Sequence, residues 1–206
     1  MGIPGALRGA PGIGDSRRMS RLLFMARPPP TVRDVMQHSL AYRQLHERLG
    51  NSLSPPGNWH QTLSDRFFEG RGLAKSLQRA GDRVRASACT LLLNRIQGVD
   101  RSTPGRRERI HWAFRAKGEP AGFAALVAAV REGLAQEGLA SPGGHTPHVT
   151  VSYDAPMALG TQKITPIPWT LEELLLVEGG GEPYAYEVIA RWPLQPLPAC
   201  QQLALL

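Results

Sequence analysis

Residues 58–67 read NWHQTLSDRF, and the decisive feature of this stretch is a histidine followed two residues later by a threonine, His60 and Thr62. On a β-strand, positions i and i+2 point to the same face, so the imidazole ring and the hydroxyl would lie side by side. Such a pair can bind an anion. A single pair also occurs by chance, because an ordinary strand end with two polar residues has the same pattern.

The same pattern returns in the second half of the chain, where residues 147–153 read PHVTVSY and place Thr150 two residues after His148. Nine threonines among 206 residues and six histidines predict only about 0.3 such pairs by chance. Two pairs are present, both in strand-like runs and both after a predicted helix. We therefore interpret the two pairs as one catalytic constellation rather than as unrelated polar residues.

The apolar spacing around the motifs alternates between strand and helix patterns. Besides the two motif strands, it predicts strands over 21–27, 88–96, 110–115, 169–177 and 184–192, and helices over 31–49, 73–84 and 120–138. Thr31 suits the N-cap of the first helix. Because neighbouring strands are joined by short turns, antiparallel sheets with helices packed on them are expected. The predicted fold class is α+β.

The charge of the chain indicates a polyanionic partner. Lys and Arg number 24 against 17 Asp and Glu, giving +7. Most of the basic residues are arginines, whose planar forks match phosphate oxygens well, so nucleic acid or a nucleotide is the expected ligand. The turn at 101–109, RSTPGRRER, either contacts an RNA backbone through Arg106 and Arg107 or is a solvated hairpin tip.

The length of the chain suits one domain or two small lobes with a shared core. Residues 1–18 have no contiguous apolar run, so we interpret them as a flexible leader rather than a secretory signal, with Met19 as an alternative start. The domain is expected over 19–195 and a tail over 196–206. The apolar runs are too short for a membrane span. Two cysteines without motif spacing fit a reducing cytoplasm.

The paired motifs resemble the two-histidine phosphoesterase superfamily, and within it the LigT-like RNA 2′,3′-cyclic phosphodiesterases, also called 2′-5′ RNA ligases. The resemblance covers nearly all of residues 19–194, including RLLFMARPPP at 21–30 and TLEELLLVEGGGEPYAYEVIARWPL at 170–194. It implies two pseudo-symmetric lobes, each an antiparallel sheet with helices packed outside. The active-site cleft would lie between the lobes and be lined by the two motifs.

The resemblance also implies a reaction, the hydrolysis of an RNA-terminal 2′,3′-cyclic phosphate to a 2′-phosphomonoester, with 2′-5′ ligation as its reverse. In such proteins the first histidine, here His60, donates a proton to the leaving 3′ oxygen, and the second, His148, activates water. Two imidazoles with near-neutral pKa values can divide these roles, and the threonine hydroxyls can stabilise charge on the phosphate. The reaction needs no metal and no other cofactor, and we expect a monomer.

Two departures from the family pattern leave the substrate open. Asp65 stands where many relatives have an aromatic residue, which makes Phe67 the aromatic candidate for substrate contact. Tyr153 stands where many have arginine. It can stack on a base or bind a phosphate oxygen, but it brings no charge, so an arginine elsewhere is expected to do so.

Three alternatives therefore remain beside an RNA end as substrate. The same site can act on a small cyclic phosphate or on a 2′-5′ oligonucleotide. A non-catalytic RNA-binding module with this fold is the third, and two titratable rings argue against it. His145 and His148 have metal-ligand spacing, but no cysteine or carboxylate cluster accompanies them. The other aromatic and imidazole side chains fit structural positions: His38 and His46 on a helix surface, His111 on the wetter face of a strand, and Trp59 and Trp112 in the core.

Overall fold

The computed structural model describes residues 21–68, 70–100 and 109–197. Its strands are β1 (Arg21–Ala26), β2 (Gln61–Thr62), β3 (Phe67–Phe68), β4 (Cys89–Asp100), β5 (Ile110–Ala116), β6 (His148–Ser152), β7 (Leu159–Leu171), β8 (Glu173–Gly180) and β9 (Ala185–Pro193). Its α-helices are α1 (Pro30–Tyr42), α2 (Leu45–Leu49), α3 (Leu73–Arg83) and α4 (Ala121–Gln136). The predicted leader at 1–18 and most of the arginine-rich turn lie outside the described residues.

Two antiparallel sheets form the molecule, as the α+β prediction required. The first sheet has the order β2-β1-β8-β9, with β3 also paired to β1. The second sheet has the order β6-β5-β4-β7. The chain starts in the first sheet, builds the whole second sheet over 89–171, and returns to the first sheet with β8 and β9.

The two sheets are arranged alike around the motif strands. β2 lies at an edge of the first sheet beside β1, and β6 lies at an edge of the second sheet beside β5. In each sheet three further antiparallel strands follow the motif strand: β1, β8 and β9 in the first sheet, and β5, β4 and β7 in the second. This repetition agrees with the two pseudo-symmetric lobes predicted from the sequence, and it places the histidine motifs at equivalent positions.

One apolar core joins both sheets and the helices. α3 packs against α4 and against β8 and β9, while α1 packs on β7 and α4 on β4. Trp59 and Trp112 are fully buried, which confirms their predicted core positions. On the opposite face of the first sheet, a smaller apolar cluster forms from Leu23, Met25, Leu175 and Val177. Within the described residues, no helix is both long and apolar enough to cross a bilayer.

The first predicted helix, 31–49, is wrong in two details. It begins at Pro30 rather than after an N-cap at Thr31, because proline suits the first helical position, where no N–H donor is lost. It also divides into α1 and α2. Gln44 between them has φ of 54°, in the left-handed region, which interrupts the helix.

The predicted strand over 169–177 is also wrong, because its residues belong to two different sheets. Trp169 lies on β7, which pairs with β4 in the second sheet, whereas Leu174 lies on β8 in the first. Glu172 separates the two strands. The prediction missed most of β7. Residues 159–168 include two prolines, and a proline within a stretch of sequence argues against a strand there.

The contact between α3 and α4 depends on a glycine. A Cβ atom at Gly133 on α4 would lie 2.5 Å from the backbone oxygen of Ala80 on α3, closer than van der Waals contact allows. Backbone cannot move aside as a flexible side chain can. Gly133 therefore sets how closely these two helices approach.

We predict that Gly133→Ala lowers the free energy of unfolding by about 1 to 3 kcal/mol, the usual cost of overpacking, although alanine is the better helix former. Denaturant unfolding would measure this change. Gly160→Ala is the matched control, because nothing lies within 4 Å of its added Cβ. Equal stability of the Gly133→Ala protein and the wild type would show that the helices separate without cost.

Candidate active site

The first histidine lies at the end of a rigid loop just before β2. The neighbouring Trp59 is fully buried, and its indole Nε1 donates a hydrogen bond to the carbonyl oxygen of Ser54 at 2.9 Å. The His60 side chain is only 4% exposed. Its Nδ1 lies 2.7 Å from the carbonyl oxygen of Asn58, two residues earlier.

The second histidine repeats this geometry at the start of β6. His148 Nδ1 lies 2.7 Å from the carbonyl oxygen of Thr146, again two residues earlier. A carbonyl oxygen can only accept, so Nδ1 of each ring carries the proton in these bonds. In the neutral form of either ring, Nε2 is then the nitrogen that can accept a proton.

Gln61 joins the two motifs directly. It lies between His60 and Thr62 in sequence, and it is fully buried. Its Oε1 accepts a hydrogen bond of 2.7 Å from the backbone N–H of His148. Its Nε2 lies 2.8 Å from the carbonyl oxygen of Thr62 and 3.3 Å from that of Thr146. One side chain thus connects the edge strands of both sheets.

Asp65 anchors the loop that leads into the second motif. Its Oδ2 accepts a hydrogen bond of 3.0 Å from the backbone N–H of Gly143, and its own N–H donates to Ser141 Oγ at 2.9 Å. Arg131 binds the carbonyl oxygen of the same glycine. Asp65 therefore has a structural role here.

Tyrosine rings flank the histidines. The rings of His60 and Tyr186 meet edge to face, with centroids 4.9 Å apart, and Tyr184 packs on Tyr186 at 5.3 Å. Tyr153, a predicted substrate contact, packs edge to face on His111 at 5.2 Å and hydrogen-bonds the Thr150 side chain. Nothing in the sequence singles out Tyr184 or Tyr186, because only the register of β8 and β9 brings them to the site.

Arg66 supplies a positive charge close to this cluster. Its exposed guanidinium acts electrostatically on His60, Tyr153 and Tyr186. Burial raises the pKa of both tyrosines, and the Arg66 charge opposes that rise. The sequence predicts that an arginine replaces the charge that Tyr153 lacks, but it does not identify which one. Arg66 lies within the opening stretch, six residues after His60, and is the candidate.

Burial controls the protonation of His60. Loss of hydration lowers the pKa of His60 from its ordinary value of 6.5 to about 4, because the charged ring is disfavoured in a buried site. The bond to Asn58 acts in the opposite direction, while Arg66 and His148 lower the pKa further. In the unliganded protein the His60 ring is therefore neutral at pH 7.

The other predicted residues lie in several environments. Phe67 on β3 packs partly buried against the main core, whereas its neighbour Phe68 is 51% exposed. Substrate contact by Phe67 stays a prediction, and so do the roles of Arg106 and Arg107, which lie outside the described residues. His38 and His46 are exposed, as predicted.

The H-x2-H spacing does not gather a set of metal ligands. His145 Nε2 lies 3.9 Å from Asp65 Oδ1. In residues 21–68, 70–100 and 109–197, no group of three or more His, Cys, Asp or Glu side chains is placed to hold a metal ion. His145 thus belongs with Asp65 to the loop before the second motif.

We predict that Gln61→Leu destabilises the fold by about 1 to 3 kcal/mol, because the backbone N–H of His148 would lose its acceptor between the two sheets. Gln61→Glu can accept from that N–H but cannot donate to the two carbonyl oxygens, so it should not restore stability. Denaturant unfolding measures both effects. Gln136→Leu is the control, because within the described part of the chain this side chain at the end of α4 bonds Glu132 alone. A Gln61→Leu protein as stable as this control would contradict the role.

The lowered pKa of His60 predicts a pH-dependent stability. Between about pH 6.5 and pH 4 the unfolded chain binds a proton at this ring that the folded protein does not, so stability falls as pH falls through this window. Above pH 6.5 the contribution is complete. The expected loss is about 3 kcal/mol. His60→Gln should lose correspondingly less stability than the wild type between pH 7 and pH 4, and parallel curves would refute the assignment. His38→Gln, a substitution of an exposed histidine, serves as the control.

No model of a known protein family matches the chain, and no curated protein matches it in sequence. Solved structures do match. E. coli LigT in its apo form superposes with a TM-score of 0.62 and 24% identity over 87% of this chain and 99% of LigT. LigT complexed with 3′-AMP superposes with a TM-score of 0.64 and 22% identity, covering 86% of this chain and 99% of LigT. The protein TT0787 of Thermus thermophilus superposes with a TM-score of 0.62 and 21% identity, covering 86% of this chain and 100% of TT0787.

These likenesses cover almost the whole of each compared protein and include both sheets. Because the sequence identity is low, these similarities are evidence for the fold alone. They confirm the fold that the paired motifs predicted. The chain has the LigT fold, an α+β architecture of two antiparallel sheets with a His-x-Thr motif at an edge of each.

Proposed function

We propose that this protein is a two-histidine phosphoesterase that hydrolyses the 2′,3′-cyclic phosphate at an RNA end to a 2′-phosphomonoester. The observation that carries the proposal is the matched geometry of His60 and His148. Each Nδ1 is held at 2.7 Å by the carbonyl oxygen two residues earlier, and Gln61 bonds the two motifs together. In each ring the Nε2 atom remains available for proton transfer, as acceptor when the ring is neutral and as donor when it is protonated.

The reaction needs one proton acceptor and one proton donor. His148 Nε2 takes a proton from water as the water oxygen attacks phosphorus. The bond from phosphorus to the 3′ oxygen breaks, and His60 gives a proton to that oxygen. The products are a 2′-phosphomonoester and a free 3′ hydroxyl. The residues that take part need no redox step and no covalent intermediate.

The substrate itself would provide the conditions for His60 to act as donor. The ring is neutral in the unliganded site at pH 7 because burial lowers its pKa to about 4. A bound phosphodiester carries a negative charge, and an opposite charge beside an imidazole raises its pKa. His60 therefore becomes protonated when the substrate binds, which restricts the charged donor to the occupied site.

The phosphate would be held between the motifs. The hydroxyls of Thr62 and Thr150 lie two residues beyond the histidines and can donate to the non-bridging oxygens as charge develops there. Arg66 would balance the phosphate charge in place of the arginine found in many relatives. The rings of Tyr153, Tyr184 and Tyr186 offer surfaces on which a base can stack.

The compared structures support a nucleotide-bearing substrate. LigT structures are complexes with 3′-AMP, with ATP and with phosphate, so that protein binds nucleotides and phosphate. If the site acts on cyclic ends by the mechanism above, the reverse reaction joins RNA ends through a 2′-5′ linkage, with a sugar hydroxyl in place of water. Hydrolysis is the direction favoured in water.

The deciding experiment incubates the purified protein, with a chelator present, with a 2′,3′-cyclic-phosphate oligonucleotide and with 2′,3′-cyclic mononucleotides. We expect a 2′-phosphate in each product that forms. A strict requirement for added divalent metal would contradict the two-imidazole mechanism. A protein that binds RNA without converting it would be a binding module instead.

We predict that His60→Ala and His148→Ala each reduce kcat/KM by about 10²- to 10⁴-fold, the usual value of one positioned proton transfer. Because the rings act as a unit, the double variant should be hardly worse than either single one. His46→Ala, an exposed histidine on α2, is the matched control and should retain activity. Full activity in either single active-site variant would remove the mechanism.

The two roles can be separated with a substrate whose leaving group is better than a sugar hydroxyl. Such a leaving group needs no proton, so it should restore His60→Ala but not His148→Ala. The reverse result would exchange the assigned roles. The pH dependence of kcat/KM should be bell-shaped in the wild type and should lose one limb in each single variant.

A further inference from the structure

A pocket of about 560 Å³ is lined by residues of the first sheet, by the start of α1 and by the end of β7, and Arg27 forms part of its wall. The register pairs Met25 with Thr62 and Ala26 with Gln61, so its continuation places Arg27 opposite His60. Residues opposite each other in antiparallel strands share a face. Arg27 lines the pocket, and its guanidinium donates a hydrogen bond of 3.4 Å to the carbonyl oxygen of Tyr186, whose ring contacts His60. Arg27 therefore belongs both to the lining of the pocket and to the surroundings of His60, on whose ring its positive charge acts.

Three arginines converge on this pocket from different elements. Arg27 follows β1, Arg33 is in the first turns of α1, and Arg191 is on β9. The acidic side chains that line it are Glu172 and Glu173. Glu173 pairs with Arg191 at 3.2 Å. Three positive charges against two negative charges leave a net charge of +1.

The Arg27 guanidinium has a donor that is not hydrogen-bonded within the described residues. Its Nε is buried and has no hydrogen-bond partner in the part of the chain that the structure describes. Burial lowers the pKa of its guanidinium, and the positive charges of Arg33 and Arg191 lower it further, with Glu173 acting in the opposite direction. The arginines thus lie close enough to repel one another, and a bound anion would relieve that repulsion.

We propose that Arg27, Arg33 and Arg191 bind the internucleotide phosphate on the 5′ side of the terminal nucleotide. The substrate is then an RNA chain of at least two nucleotides rather than a cyclic mononucleotide. A phosphodiester is a monoanion, which matches the excess charge of the pocket, and arginine forks suit its two non-bridging oxygens. This inference rests on the proposed function, since it places the cyclic phosphate at the two histidines.

The test compares hydrolysis of 2′,3′-cyclic AMP with that of a dinucleotide ending in the same group. We expect the wild type to prefer the dinucleotide in kcat/KM, and Arg33→Ala to reduce that value about tenfold, the scale of one charge-assisted hydrogen bond. The rate on cyclic AMP should stay within about twofold, because its only phosphate lies at the histidines. Arg33→Glu should have a larger effect on the dinucleotide alone.

Arg85→Ala is the matched control. It removes one exposed arginine whose hydrogen bonds, among the residues that the structure describes, go to the carbonyl oxygens of Asp82 and Val84, and which does not line the pocket. It should change neither rate, which separates the pocket from the overall positive charge. An equal loss on both substrates in Arg33→Ala, or no wild-type preference for the dinucleotide, would overturn the inference while leaving the proposed function intact.

A binding measurement keeps the outcomes distinct. The dinucleotide product with a 2′-phosphate end is titrated into the wild type and into Arg33→Ala at several salt concentrations. We expect weaker binding by the variant and a salt slope reduced by about 0.7. If neither substrate is hydrolysed, the proposed function fails, and this titration alone decides the pocket: unchanged binding by the variant refutes the phosphate site.

Discussion

The contact on which the site depends is the bridge from Gln61 to the second motif. It lies where the edge strands of the two sheets approach each other, and both edges there present backbone groups that must be satisfied. Its amide is suited to this position because it can accept from the N–H of His148 and donate to carbonyl oxygens with the same side chain. A charged or purely accepting side chain could not do both.

Several local contacts support this bridge. Ser54 N–H donates to the carbonyl oxygen of Val151 at 2.8 Å, and Asp65 holds Gly143 at the entrance to the second motif. Each joins the surroundings of one histidine to those of the other. The spacing of the two rings therefore follows from hydrogen bonds between the motifs as well as from packing in the distant core.

The surroundings of His60 favour the neutral form of its ring. A neutral imidazole is stable in a site that excludes water, with its Nδ1 satisfied by the Asn58 carbonyl. Arginines nearby favour an anion and oppose the protonated ring. Under the proposed function, the negative charge of a bound phosphate would raise the pKa of His60 and so favour the protonated ring near pH 7.

The sequence by itself determined the fold class, most of the elements and the two histidine pairs, because these depend on local apolar spacing and on a motif that occurs twice. It did not determine where one strand ends and the next sheet begins near Glu172, or that Gln44 would interrupt a helix, since both depend on long-range packing. The roles of Gln61, Arg66 and Tyr186 were also decided only by the tertiary structure. Each acts through a partner distant in the chain, and only strand register and sheet edges bring those partners within contact.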